Sequence, residues 1–201
     1  MKSLMKQYDL IKDLFAQIHE DWDANHRDWT QPGFRALALY RAGRWTWERR
    51  EGPLRSMLLF VYRIMWRYVR NHYGIEIPRT TIIGRRLRIA HQHGIVIHPN
   101  TEIGDDCIIR QNVTIGAVTW ERFKDGPKFG HRVDIGAGAV IVGKVMIGDG
   151  ARIGANCVVM TNVPANTTVF LGPPRMIQMQ KGQEETVSSA DVPQVGGVSR
   201  L

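Results

Sequence analysis

The sequence predicts a β fold: a parallel β-helix built from hexapeptide repeats and preceded by an α-helical N-terminal segment. From Ile77 onward, an aliphatic or aromatic residue recurs every six positions, with two interruptions. A small or apolar residue usually stands two positions earlier, and a glycine often follows. A fixed short period over this length is typical of β-helices, in which short strands stack coil upon coil. The recurring positions are Ile77, Ile83, Ile89, Ile97, Ile103, Ile109, Ile115, Phe129, Ile135, Ile141, Ile147, Ile153 and Val159.

Residues 1–74 are predicted to form α-helices. The first helical stretch, 4–22, has an amphipathic face because its apolar residues are spaced by three and four. The sequence TQPGF at 30–34 interrupts the helical pattern, and two more helical segments follow at 35–50 and 53–72. The apolar face of the first stretch consists of Leu4, Tyr8, Ile11, Phe15 and Ile18.

The β-helix domain is predicted at 75–176, and the polar, aperiodic remainder, 177–201, is predicted to be a flexible C-terminal tail. Cys107 and Cys157 are the two cysteines of the chain, and both fall in the small-residue register of the repeat. Their spacing makes no metal or redox motif, so we predict two buried free thiols.

The net charge of +8 is concentrated in one part of the chain. Between Arg27 and Arg88 there are fourteen arginines, no lysine and four acids, a local charge of +10. Such an excess suggests an anionic partner. For the basic helix 54–72 three interpretations stay open: a solvated or subunit-contact face, a peripheral contact with anionic lipid, or a site for a polyanionic ligand. No nucleic-acid-binding motif accompanies the charge, so no nucleic-acid partner is expected.

The sequence also sets expectations about location. Its most apolar run, 57–62, is far shorter than the roughly 20 residues that span a bilayer. The N-terminus has no signal-peptide pattern. We therefore expect a cytoplasmic protein. A peripheral association with the inner face of the membrane would be made through the basic helix 54–72.

The repeat is broken at two places. A two-residue insertion between Ile89 and Ile97 contains His91 and His93. An excess of eight residues between Ile115 and Phe129 must bulge outward as a loop, because the interior has no room for its large side chains. A stacked coil has no cleft of its own, so we expect function where the repeat is broken.

These features resemble the hexapeptide-repeat acyltransferases, which are left-handed parallel β-helices. Within them the helical N-terminus and the sequence AHQHGIVI are most similar to serine acetyltransferase, over roughly 27–176. The resemblance implies an acetyl-CoA-dependent O-acetyltransferase that transfers acetyl directly to the hydroxyl of L-serine. It also implies a homotrimer with acetyl-CoA lying between neighbouring subunits, and the short helical region favours a single trimer over a pair of trimers.

The resemblance also assigns residues. His91 falls on the family's general base, and an imidazole with an ordinary pKa near 6.5 suits proton transfer at neutral pH. Glu76 falls on its carboxylate partner; with about eighteen residues per coil it would lie above position 94, close to His91. Substrate binding is implied for Asp28 and, in the loop, for Arg122. Cofactor binding is implied for Gly116, Ala137, Ala155, Thr161 and Arg175; no metal site is predicted.

Three departures from the family pattern leave alternatives open. Ala90 replaces an Asp before the base, and Asp125 and Gly126 stand where the serine enzymes carry an Arg-His pair that holds serine. The altered loop and the basic helices would suit an alternative acceptor, a sugar hydroxyl in exopolysaccharide or surface-polysaccharide biosynthesis. Two other classes are a γ-carbonic-anhydrase-like metal lyase, which would need three converging histidines, and a non-catalytic trimeric scaffold. His98 is expected to be a solvated corner residue.

Overall fold

A computed structural model of the protein describes residues 2–119 and 121–172, with side chains from residue 9 onward. Its helices are α1 (Lys2–Ala24), α2 (Pro32–Trp47) and α3 (Pro53–Tyr73). A proline opens both α2 and α3, where its missing N–H costs no helical hydrogen bond. Helix α3 ends at Gly74, whose φ of 61° is left-handed, and its N–H bonds the Arg70 carbonyl. None of the described helices is both long and apolar enough to span a bilayer.

The remainder of the described chain winds through three parallel sheets, which we name faces A, B and C. Face A has the strand order β1-β4-β7-β10-β13, face B β11-β8-β5-β2 and face C β14-β12-β9-β6-β3. Each coil takes one short strand from each face in turn. The strands are β1 (Ile75–Glu76), β2 (Ile82–Ile83), β3 (Arg88–Ala90), β4 (Ile95–Ile97), β5 (Glu102–Ile103), β6 (Ile108–Arg110), β7 (Thr114–Gly116), β8 (Lys128–Phe129), β9 (Asp134–Ile135), β10 (Val140–Val142), β11 (Met146–Ile147), β12 (Arg152–Ile153), β13 (Val158–Val159) and β14 (Thr168–Val169).

The six-residue repeat fills the interior of this β-helix, as predicted. Every recurring position from Ile77 to Val159 is buried, and Ile109, Ile135 and Ile141 are fully so. The two cysteines are buried free thiols, and burial raises the pKa of Cys107 to about 11. The β-helix is therefore stabilised by aliphatic side chains that pack in its interior and by backbone hydrogen bonds between neighbouring coils.

Strand pairing shows where the coils lengthen. Ile97 pairs with Ile115, eighteen residues on, whereas Ile75 pairs with Ile95, twenty residues on. The first coil is thus longer by the two inserted residues. Glu76 accordingly lies beside Val96 and not beside position 94, so the predicted register of Glu76 is wrong by two.

The helices cover the open end of the β-helix through a buried polar cluster. Asp21, which is fully buried, accepts a 2.8 Å hydrogen bond from Arg41 Nε. Arg41 Nη1 also donates to the Ile83 carbonyl at 2.8 Å, and burial raises the pKa of Asp21 while Arg41 opposes the shift. Asn25 Nδ2 donates to the Leu87 carbonyl at 2.9 Å. Because these contacts satisfy backbone groups of the first coil, that edge is closed to further strand pairing.

Candidate active site

The C–A corner, where the chain passes from face C to face A, is strained in the first coil. His91, His93 and Gly94 have φ values of 70°, 73° and 68°. In the next three coils this corner has a single positive-φ residue each: Asn112, Gly138 and Asn156. A left-handed conformation costs a non-glycine residue about 1–2 kcal/mol. Strain of this kind concentrates at functional sites, and here it sits on the two histidines of the insertion.

His91 borders a cleft of about 550 Å³ between the start of α2 and strand β3. A Cβ at Gly33 would lie 2.7 Å from the Ile89 carbonyl oxygen, so the glycine allows α2 to approach the strand closely. The His91 side chain is exposed and has no hydrogen bond or ion pair within the described residues. The ring is therefore accessible to a reactant. The other residues lining this cleft include His26, Gln31, Pro32 and Arg88.

His93 has a different environment from His91. Its backbone N–H donates to the Tyr73 carbonyl at 3.1 Å, at the end of α3. Its Nδ1 would lie 3.1 Å from a Cβ at Gly74, and its Nε2 lies 3.1 Å from Nε2 of Gln92. His93 therefore packs on the helix end, and the geometry favours His91 as the reactive imidazole.

Asp28 lies in the turn between α1 and α2. Its carboxylate accepts hydrogen bonds from the Thr30 N–H at 2.8 Å and the Thr30 hydroxyl at 2.6 Å, which lower the pKa of Asp28. His26 and Gln31, on either side of it in the chain, line the His91 cleft, but Asp28 does not. Asp28, predicted to bind the substrate, therefore lies at the margin of the cleft, and its carboxylate is hydrogen-bonded to Thr30.

Glu76 lines a second pocket, of about 680 Å³, between α3 and the first coil. Its carboxylate has no hydrogen bond or ion pair within the described part of the chain. Glu76 and His91 thus line different pockets, and no hydrogen bond or ion pair joins them within the described residues. Four arginines share the Glu76 pocket, and three of them belong to the basic helix for which the sequence left a polyanionic-ligand site open: Arg63, Arg67, Arg70 and Arg79.

The long loop leaves the β-helix at the A–B corner, where the chain passes from face A to face B. Arg122 and Phe123 are exposed, as the size of the interior required. The Arg122 side chain has no hydrogen bond or ion pair among the described residues, and it lines neither the His91 cleft nor the Glu76 pocket. Phe123, in contrast, lines the Glu76 pocket.

His98 anchors this loop and is not solvated, contrary to expectation. It is 8% exposed, and the Phe123 ring meets its ring edge-on at 4.6 Å. Its Nδ1 accepts the Asn100 N–H at 3.2 Å, while its buried Nε2 has no partner in the described structure. Burial lowers the pKa of His98. The sequence carried no signal for this burial, because it depends on a loop residue 25 positions away.

Gly126 fixes the end of the loop. A Cβ at this position would lie 2.2 Å from the Asn100 carbonyl oxygen, so a larger residue would displace the corner or the loop. Gly126, which stands where the serine enzymes carry a histidine, therefore lies where the loop packs tightly against the β-helix.

The predicted cofactor residues also fall at two corners. Ala137 and Ala155 lie in successive coils at the C–A corner, where the Asn156 N–H donates to the Ala137 carbonyl at 2.8 Å. Gly116 ends strand β7 and Thr161 follows β13, both toward the A–B corner. Arg175 lies outside the described residues. The candidates thus separate into a C–A set (His91, Ala137, Ala155) and an A–B set (Glu76, Gly116, Arg122, Thr161).

Within the residues that the structure describes, no group of three His, Cys, Asp or Glu side chains is arranged to hold a metal ion. His91 and His98, two of the histidines considered for a metal lyase, lie in separate environments, one exposed at the C–A corner and one buried at the A–B corner.

A parallel β-helix with an imidazole at an inserted corner and an external loop defines a hexapeptide-repeat acyltransferase. No family model matches the sequence. A serine acetyltransferase of Helicobacter pylori (strain J99) is 40% identical over 164 residues, covering 80% of this chain and 91% of that protein. One from Synechococcus elongatus is 32% identical over 162 residues, covering 81% of this chain and 64% of the relative. The chain belongs to the serine acetyltransferase family.

Solved structures agree with this membership. Serine acetyltransferase isoform 3 of Entamoeba histolytica, in complex with cysteine, matches with a TM-score of 0.69 at 27% identity, covering 84% of this chain and 62% of that one. Soybean serine acetyltransferase complexed with serine matches with a TM-score of 0.68 at 28% identity, covering 85% and 74%. The chain spans less than two thirds of the Entamoeba and Synechococcus proteins.

These comparisons confirm three predictions: the family, the left-handed parallel β-helix with N-terminal helices, and an enzyme of the acyltransferase class. They support the serine acetyltransferase prediction and not the sugar O-acetyltransferase alternative. The individual site residues stay predictions.

Proposed function

We propose that this protein is an acetyl-CoA-dependent serine O-acetyltransferase. The observation that carries the proposal is the exposed, unpartnered imidazole of His91 on a strained corner beside a cleft. The curated relatives named serine acetyltransferase support L-serine as the acceptor, as does the soybean structure with serine bound. Acetyl-CoA is the acetyl donor and a co-substrate.

In the proposed reaction, His91 takes the proton from the serine hydroxyl as its oxygen attacks the thioester carbonyl. The carbon–sulfur bond then breaks, and the imidazolium returns the proton to the departing thiolate of coenzyme A. The thioester needs no protein nucleophile, so the acetyl group passes directly between two bound substrates. A positioned imidazole contributes about 10²–10⁴-fold to such a step.

A homotrimer would complete the site. His91 at the C–A corner and Glu76 toward the A–B corner line separate pockets of one copy, and in the proposed trimer a neighbouring copy would set the two corners face to face. Glu76 of one subunit would then orient the His91 ring of the next and stabilise its protonated form. Val96 and Val158, 42% and 63% exposed on face A, leave apolar surface for a neighbour in a closed ring.

The same arrangement would form the donor site. Ala137 and Ala155 of one copy would face Gly116 and Thr161 of the next, and these small side chains leave room for an extended ligand between subunits. Arg175 is proposed as a further contact of acetyl-CoA.

Location and membrane contact rest on the sequence alone. A cytoplasmic location stays a prediction. The peripheral membrane contact predicted for the basic helix 54–72 finds no support in the comparisons, and three of its arginines line the Glu76 pocket.

A thiol-release assay tests the proposal. Purified protein is incubated with acetyl-CoA and either L-serine or a panel of sugars and nucleotide sugars. We expect release of coenzyme A with L-serine and its loss in His91→Ala. Turnover with a sugar and none with L-serine would contradict the proposed acceptor.

A further inference from the structure

The Glu76 pocket is strongly cationic. Four of its lining residues are arginines, and Glu76 is the sole carboxylate among the described residues that line it. Tyr62, Trp66 and Phe123 supply aromatic walls. A concave site with several guanidinium groups and one acid is suited to a small anionic ligand.

Two of these arginines are unoccupied. Arg63 and Arg67 lie one helical turn apart on α3, so their side chains project from the same face. Neither guanidinium has a hydrogen bond, ion pair or ring contact within the described part of the chain. They are therefore available to a ligand as charged, planar donors.

The other two arginines are held in place. Arg70 Nε donates to Asn71 Oδ1 at 3.2 Å, and its guanidinium lies 4.8 Å from the Trp66 ring. The Arg79 guanidinium lies 4.5 Å from the Trp47 ring, and its Nε is buried with no acceptor in the described structure. The stacked Arg79 guanidinium therefore adds a fixed positive charge to the wall of the pocket.

We infer that Arg63 and Arg67 bind the carboxylate of the acceptor amino acid. The inference rests on the proposed function and names the residues that recognise the substrate. An arginine fork matches a carboxylate with two parallel hydrogen bonds, and the proposed trimer would set this pocket, through Glu76, beside the His91 of a neighbouring copy.

Two other cations are less suited to this role. Arg122 lies on the external loop and lines neither pocket, whereas a helix holds a ligand more rigidly than a loop does. Arg88 lines the His91 cleft and thus lies at the other corner of the same copy. Unlike Arg122 and Arg88, the α3 arginines line the same pocket as Glu76.

The inference predicts how the enzyme selects its acceptor. L-serine and L-serinamide differ in that a neutral amide replaces the carboxylate. If Arg63 and Arg67 bind the carboxylate, the wild-type enzyme discriminates strongly against L-serinamide, and removing the guanidinium groups abolishes most of that discrimination.

The experiment compares Arg63→Gln, Arg67→Gln and the double variant with the wild type, using both acceptors at saturating acetyl-CoA. A charge-assisted hydrogen bond is worth about tenfold or more in binding. We expect KM for L-serine to rise about tenfold in each single variant and further in the double variant. KM for acetyl-CoA should not change, and the preference for L-serine over L-serinamide should collapse. Arg50→Gln, exposed and outside the pocket, is the matched control.

Each contrary result has a distinct meaning. An active enzyme whose double variant keeps the wild-type KM for L-serine would overturn the inference alone. A rise in KM for acetyl-CoA would assign the arginines to its phosphates, and a rise for L-serine in Arg88→Gln alone would place the carboxylate in the His91 cleft; either overturns the inference. Absence of turnover with L-serine in the wild type would overturn the proposed function and the inference together.

Discussion

The C–A and A–B corners of this β-helix depart from the same repeat in different ways. At the C–A corner, two extra residues stay close to the coil, and three left-handed residues in four positions expose His91. At the A–B corner, eight extra residues leave the coil as a loop, which packs on His98 through Phe123. The small insertion thus exposes the His91 side chain, whereas the large insertion forms a loop whose Phe123 lines the Glu76 pocket. In one copy of the chain, the His91 cleft and the Glu76 pocket are separate.

The largest expected effect is at the C–A corner. His91→Ala should lower kcat with L-serine by about 10³-fold, because the hydroxyl loses its base. His93→Ala, at the same corner but packed on the end of α3, is the matched control and should keep most of the activity. Steady-state kinetics measures both. If His93→Ala proves the more damaging, the assignment of the base is wrong.

The next effect concerns the A–B corner. Glu76→Gln should lower kcat by about a hundredfold, less than loss of the base itself, since the imidazole remains but is no longer oriented by a charge. Glu102→Gln is the control, because this acid on face B pairs with Lys128 at 2.7 Å. Equal activity of the two variants would remove Glu76 from the site.

Packing of the loop base gives a smaller effect. Gly126→Ala should destabilise the protein by about 1–3 kcal/mol, because its Cβ has no space beside the Asn100 carbonyl. Gly116→Ala, whose added Cβ would meet only Val142 Cγ1 at the ordinary contact distance of 3.7 Å, should leave the melting temperature nearly unchanged. Thermal unfolding of both variants tests this, and equal melting temperatures would contradict the tight loop base.

The smallest effect is a pH dependence. Burial lowers the pKa of His98 in the folded protein, so the unfolded chain binds a proton more readily. Above the ordinary imidazole pKa of about 6.5, neutral His98 does not oppose folding. As the pH falls from there toward the lowered pKa of the folded protein, the free energy of unfolding decreases. Denaturant unfolding across that range should show a weaker decline in His98→Phe than in the wild type. His26→Asn, exposed in the turn after α1 and left-handed as Asn tolerates, should keep the wild-type decline; equal slopes in all three would exclude His98.

Sequence was sufficient for the β-helix and for both breaks in its repeat. An aliphatic residue at every sixth position follows directly from the geometry of a coil, so Ile109 and Ile141 could be placed in the core without coordinates. The register of Glu76 was missed because the insertion lengthens the coil that contains it. The burial of His98 and the arginine pocket depend on contacts between distant segments, which no local spacing reveals.

The central claim is that one copy supplies the base and its neighbour supplies the carboxylate. Co-expression of His91→Ala and Glu76→Ala subunits, followed by purification of all the trimers together, of which about three quarters would be mixed, tests it directly. In a mixed trimer one site of three would combine an intact His91 with an intact Glu76. We therefore predict recovery of about a quarter of the wild-type activity at equal expression. A mixture no more active than the two separate variants would contradict a site shared between subunits.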